Sequence, residues 1–328
     1  MPYISGMFLK ILKNNSFLSY ILFALLVIGF GMNALVLPLS TNFYAFTDLG
    51  VFSFHNEILT KILFLAVWLL SVFWMNRIVT LHKLMDVKGG TLIFLFALLS
   101  FSFWSEYISL DLQMALLFLL FCIDQLFAIY QSQGKLYQSL NLGFLFGIAV
   151  YFYFPLIILF PWLFMALGIV KSFQWRDIVL PLLGAALPFY LYSVFQFFTD
   201  GTNVLLTKKL IDFNANEIIS SLLFNASDME FRLFWGLALF FLLLALAYSY
   251  RVMDKLTVKI RMFYSILIWF SVFSIVLLFF TKGNHFESVF LLLPMVFLGS
   301  NYLNAVKQRW IFDFAILLYV FFLIYVRT

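Results

Sequence analysis

Long apolar stretches recur along the whole chain, separated by short polar clusters, and eleven of them predict helices that cross a membrane. The predicted spans are 17–37, 59–79, 90–105, 112–130, 140–153, 155–170, 178–198, 233–250, 262–281, 287–305 and 310–326. Pro155 sits where the fifth and sixth meet, and a proline there fits two short helices or one long kinked helix.

The basic residues choose between these. With eleven spans and the N-terminus inside, fourteen lysines and arginines fall on the cytoplasmic side and six outside. Fusing 140–153 with 155–170 would move Arg251, Lys255, Lys259 and Arg261 to the outer face, so the charge pattern favours two helices. The carboxylates show the opposite bias: Asp48, Glu57, Glu106, Asp111, Asp200, Asp212, Glu217, Asp228, Glu230 and Glu287 all fall outside.

Composition agrees. The chain is 65% hydrophobic, holds 46 phenylalanines and carries only 20 basic and 15 acidic residues, too few charges to solvate a soluble surface. The net charge of +5 sits in ones and twos at the ends of apolar stretches, a topology signal and not a nucleic-acid patch. Cys122, the single cysteine, excludes an intramolecular disulfide and a cysteine metal site. Lys10 and Lys13 precede the first span, which is too long for a signal-peptide core and lacks a small-residue cleavage site, so it is expected to remain as a helix. The expectation is one all-α integral membrane domain over 1–328, a polytopic helical bundle with its N-terminus cytoplasmic.

Two outer loops have length, 38–58 and 199–232. The second carries apolar clusters at Val204-Leu205-Leu206, Leu210-Ile211, Ile218-Ile219 and Leu222-Leu223, a pattern that suits helices lying in the membrane interface as anchors or as a lid over an outward cavity.

Candidate chemistry gathers on the outer side. Asp48 stands in the first outer loop, where a carboxylate among apolar neighbours suits a general base; His55 and Glu57 follow closely enough to share its site. Glu106 and Asp111 bracket a short outer turn, and Lys282-Gly283-Asn284-His285-Phe286-Glu287 fills another, where lysine and imidazole suit an anionic head group. Each of these also reads as an ordinary helix end or polar turn. Asp124 is the deepest carboxylate and an intramembrane candidate by cost alone, whereas Asp313 can snorkel to the surface beside Arg309. No phosphate loop, dinucleotide fingerprint, nucleophile elbow or zinc-spaced pair is present, so cofactor identity is open and a divalent metal has no motif.

The run Ser139-Leu140-Asn141-Leu142-Gly143-Phe144-Leu145-Phe146-Gly147-Ile148-Ala149, followed by Tyr153-Phe154-Pro155, Trp175-Arg176-Asp177, Leu180-Pro181-Leu182-Leu183-Gly184 and Leu187-Pro188-Phe189-Tyr190, resembles an uncharacterised bacterial family of multi-pass inner-membrane proteins. More distantly it resembles the membrane core of GT-C glycosyltransferases. That resemblance implies a GT-C-like core in which Asp48 takes the place of the loop acid, and His285 with Pro294 the late polar turn and proline-containing helix. It differs in a shorter first loop and a lone acid there.

The resulting expectation is a protein that handles a polyprenyl-phosphate-linked sugar at the outer leaflet. Asp48 would be the base, Glu106 an orienting or metal-coordinating carboxylate, and Lys282 with His285 the phosphate contacts, beside His55, Glu57 and Glu287. The alternative is a non-catalytic membrane subunit of an envelope-assembly or secretion complex, with protein partners; a transporter working through Asp124 comes third. Membrane lipid is the expected partner and nucleic acid is not.

Overall fold

The computed structural model describes residues 57–84, 90–102, 110–131, 136–170, 175–200, 229–280 and 288–305. The expected spans 17–37 and 310–326 and the stretch 201–228, where interfacial helices were expected, lie outside them.

Among the described residues the fold is all helical, with no strand. The helices are α1 (Glu57–His82), α2 (Gly90–Ser102), α3 (Leu110–Gln131), α4 (Leu136–Phe152), α5 (Phe160–Val170), α6 (Arg176–Asp200), α7 (Met229–Val252), α8 (Val258–Phe280) and α9 (Ser288–Ala305). Four hold stretches long and apolar enough to cross a membrane: Ile58–His82, Leu110–Tyr130, Ile178–Phe195 and Val258–Leu277. Shorter apolar helices run over Gly90–Ser100, Phe154–Val170 and Val289–Ala305. Helix is the form such stretches take because it satisfies every interior backbone donor and acceptor without water.

Contacts between helices give their relative directions. Ser71 meets Gln113, Trp74 meets Phe121 and His82 meets Asp124, so α1 and α3 run the same way. By the same test α3 and α4 are opposed, through Cys122 with Leu142 and Phe118 with Phe152. Helices α2 and α9 are opposed, through Thr91 with Asn304 and Leu95 with Gly299.

The pair α4 and α6 is the informative one. Gly143 lies against Pro181, Gly147 against Ala185 and Tyr151 against Phe189, so the two helices run in the same direction. The chain must therefore travel back between them. It turns at Tyr153, which is extended (φ −140°, ψ 96°), and returns through a 3-10 helix, Phe154–Leu159, that leads into α5. Pro155 lacks an N–H and restricts the residue before it, which is why the helix cannot continue through this point. Six 3-10 and eleven α-helical residues cover about 28 Å at roughly 2.0 and 1.5 Å per residue, close to the ~30 Å of a bilayer core.

These directions sort the charges. Arg77, Lys83, Arg176, Arg251, Lys255, Lys259 and Arg261 fall at or near one end of the bundle, and Glu57, Asp111, Asp200 and Glu230, with the cations Lys61 and Arg232, at the other. Asp124, Asp177 and Asp254 are the described carboxylates towards the cationic end. Without the reversal at Tyr153, the four cations from Arg251 to Arg261 would leave their group.

Inside the bundle α3 and α9 are the most enclosed; every residue from Val289 to Ser300 is buried. Trp162 on α5 is fully buried, donates its indole N–H to the Ile266 carbonyl at 3.1 Å and packs edge-on against Phe270 at 4.7 Å. Helix α6 is peripheral. It packs mainly on α4, and its Leu182, Leu183, Leu187, Tyr190, Leu191 and Phe195 are exposed.

Candidate functional site

Two polar assemblies interrupt this apolar interior, one towards each end. At the cationic end α1 stops directly after His82, because Lys83 takes a left-handed backbone (φ 52°) and the Leu84 N–H closes onto the Val79 carbonyl at 3.2 Å. This leaves the His82 ring at the rim of α1, facing α3. Its Nε2 lies 2.9 Å from Oδ1 of Asp124, with His82 3% and Asp124 18% exposed.

Aromatic rings set the imidazole. Phe127 and Phe263 approach it edge-on at 5.3 and 5.7 Å and stack on each other at 4.0 Å. Tyr130 and the Lys259 ammonium reach the same Phe263 ring, at 5.9 and 5.7 Å. The pair therefore joins α1 to α3, and the rings carry that junction to α8. The contact ties an imidazole to a carboxylate at the junction of the three helices.

At the other end a polar strip runs down the inward face of α1. Lys61 is buried at 7%, Trp68 at 1% and Ser71 at 0%. The Trp68 indole donates to Ser100 Oγ of α2 at 3.1 Å, and Ser100 donates on to the Phe96 carbonyl. Gln113 of α3, itself buried, donates to Ser71 Oγ at 3.3 Å. Asp111 is half-buried in the first turn of α3 at the same end.

Of the residues expected from sequence, Asp124 lies on α3, partly buried, with His82 beside it. Glu57 is the first residue of α1. Asp48, His55, Glu106, Lys282, His285 and Glu287 lie outside the described residues. Sequence reasoning missed His82, Lys61 and Gln113. Sequence alone assigns no role to His82, and counts Lys61 only as one of the six cations outside. The available signal for both was their position inside, and not beyond, the turns of a span-length apolar stretch. Among the described residues no group of three His, Cys, Asp or Glu side chains is placed to hold a metal ion. No protein-family model, curated protein or solved structure matches the chain.

Proposed function

We propose that this chain crosses the bacterial cytoplasmic membrane eleven times with its N-terminus inside, and that it handles a polyprenyl-phosphate-linked sugar at the outer leaflet through a GT-C-like core. The observation that carries the reading is the common end reached by Glu57, by Ser102 and Leu110, and by Phe280 and Ser288. These residues flank the sequences that hold Asp48 with His55, Glu106, and Lys282 with His285 and Glu287. Helix direction therefore supports one membrane face for all three. There, Asp48 acts as base toward an acceptor hydroxyl, Glu106 orients it, and Lys282 with His285 neutralises the phosphate. The isoprenoid tail lies along apolar helix surface and its head stays at the membrane boundary, so one molecule uses both environments.

The test is native mass spectrometry with lipid identification on protein extracted gently from its own membrane. A co-purifying polyprenyl-phosphate sugar, with transfer lost in Asp48→Asn and His285→Ala at unchanged expression, is the expected result. A stoichiometric protein partner with only bulk phospholipid sinks it. That outcome belongs to a second reading, a non-catalytic subunit of an envelope-assembly complex, which is favoured by the apolar row that α6 leaves exposed.

A further inference from the structure

We infer that Arg251, Lys255, Lys259 and Arg261 form a binding site for the headgroup of an anionic phospholipid, in the leaflet at the cationic end of the bundle. The site lies at the opposite end from the outer-face chemistry proposed above, so its test stands apart from that reading.

The cations of this end are not alike. Arg77 lies over the Trp74 ring at 4.2 Å and Arg176 over Trp175 at 5.7 Å. Arg251, Lys255, Lys259 and Arg261 instead crowd into one short connection, with only Asp254 against them. Lys259 reaches the Phe263 ring, while among the described residues Arg251, Lys255 and Arg261 make no ion pair or ring contact. Helix polarity accounts for Arg251, which sits in the last turn of α7, where free carbonyls attract a cation. It opposes two of the others. Lys259 and Arg261 lie in the opening turn of α8, which holds no acidic residue and bears the partial positive charge of the helix. A topology signal needs cations at this end of the bundle but not their gathering in one connection, and an anion among them relieves the repulsion.

The backbone beneath them is fixed. Met253, Leu256 and Ile260 pack against the buried core, the Leu256 N–H donates to the Met253 carbonyl at 3.2 Å and the Arg261 N–H to the Thr257 carbonyl at 2.9 Å. Arg251, Lys255 and Arg261 are exposed on this anchored turn. Binding therefore orders side chains alone, which keeps its entropic cost small.

The neighbouring surface selects a lipid over a soluble anion. On α7, Phe240, Leu243 and Tyr250 are exposed along one side, which ends at Arg251. On α8, Val258, Trp269 and Val272 are exposed on the side that carries Arg261. Both helices pack on α9 more than on one another, and the 3-10 helix Met253–Lys255 joins them. Two apolar stripes thus lead to one group of cations. An acyl chain lies along such a stripe while the headgroup meets the charges, and neither a free phosphate nor an acidic peptide uses both.

The experiment titrates the full chain, purified in a neutral detergent, with dioleoyl phosphatidylglycerol, dioleoyl phosphatidylcholine, inorganic phosphate and a decaglutamate peptide, and follows bound species by native mass spectrometry. Wild type is expected to prefer phosphatidylglycerol over phosphatidylcholine by at least about tenfold, each cation that meets the headgroup supplying about fivefold. Arg251→Gln/Arg261→Gln is expected to lose most of that preference, and Lys83→Gln/Arg176→Gln, which removes the same charge from the same end, to keep it. Equal losses in the two pairs overturn the inference, because the preference then follows overall charge and not a site. A wild type without preference overturns it too, as does decaglutamate or inorganic phosphate bound at these residues as tightly as the lipid. If Arg251→Gln/Arg261→Gln does not fold, Lys255→Gln on the exposed turn replaces it; a loss of about fivefold supports the site and an unchanged preference overturns it.

Discussion

Nε2 of His82 and Oδ1 of Asp124 lie 2.9 Å apart although 42 residues separate them in sequence. The contact exists because α1 and α3 run in the same direction, which brings the last residue of one beside the last third of the other. Losing the carboxylate leaves a buried imidazole without that partner. Asp124→Ala should destabilise the protein by about 1–3 kcal/mol, and Asp124→Asn, which retains an acceptor, by less. Thermal unfolding in detergent, run as a double-mutant cycle with His82→Ala, measures the coupling; additive losses would show that the contact contributes nothing.

The helix pair α4 and α6 supplies a steric test. A Cβ at Gly147 would lie 2.5 Å from the Ala185 carbonyl oxygen and 2.7 Å from its Cα, both backbone atoms that cannot rotate away. Gly147→Ala should therefore cost about 1–3 kcal/mol, as overpacking does. Gly236, on α7, has nothing within 4 Å of the same position. Gly236→Ala should be neutral or stabilise by up to about 1 kcal/mol, and a comparable loss at both glycines would contradict the packing.

Phe263 ties the His82 pair to α8 and is fully buried, stacked on Phe127 at 4.0 Å. Phe263→Ala should cost about 3–5 kcal/mol. It should also raise amide hydrogen exchange across the end of α1 and the start of α8 together; exchange confined to α8 would mean that the junction is not shared.

The reversal at Tyr153 can be read chemically. Cys122 is buried, so replacing it by alanine gives a background for single cysteines at exposed positions. In intact spheroplasts an impermeant maleimide should label Phe198→Cys, and should label Trp175→Cys and Lys255→Cys only after lysis. Labelling of Lys255→Cys from outside would mean that 140–170 is a single crossing.

Lys83 ends α1 in a left-handed conformation, φ 52°, which a side chain with a Cβ disfavours. Lys83→Gly should stabilise α1 by about 1 kcal/mol, visible as slower exchange at Val79 to Leu84. A destabilised variant would mean that the lysine charge matters more than backbone strain.

Much of the helix layout was legible in advance. The stretch expected at 112–130 folds as Leu110–Gln131, and 262–281 as Val258–Phe280, because length and apolarity alone fix where a backbone must satisfy itself. The turn near Pro155 was legible from charge, since only a reversal there keeps Arg251 through Arg261 at the end shared by Arg77, Lys83 and Arg176. The partners of Asp124 and the inward turn of Lys61 were not. A helix such as α1 is apolar on nearly every side, so no periodicity in its sequence marks which face meets protein and which meets lipid.

Hydropathy and charge in the sequence thus determine where this chain is helical and in which sense successive helices run, because both follow from the cost of placing bare backbone and unpaired cations in hydrocarbon. Only the tertiary structure decides that His82 meets Asp124, that Gly147 admits Ala185, and that Lys61 faces inward. Those contacts depend on the rotation and lateral order of uniformly apolar helices, which are set by interlocking side chains far apart in the sequence.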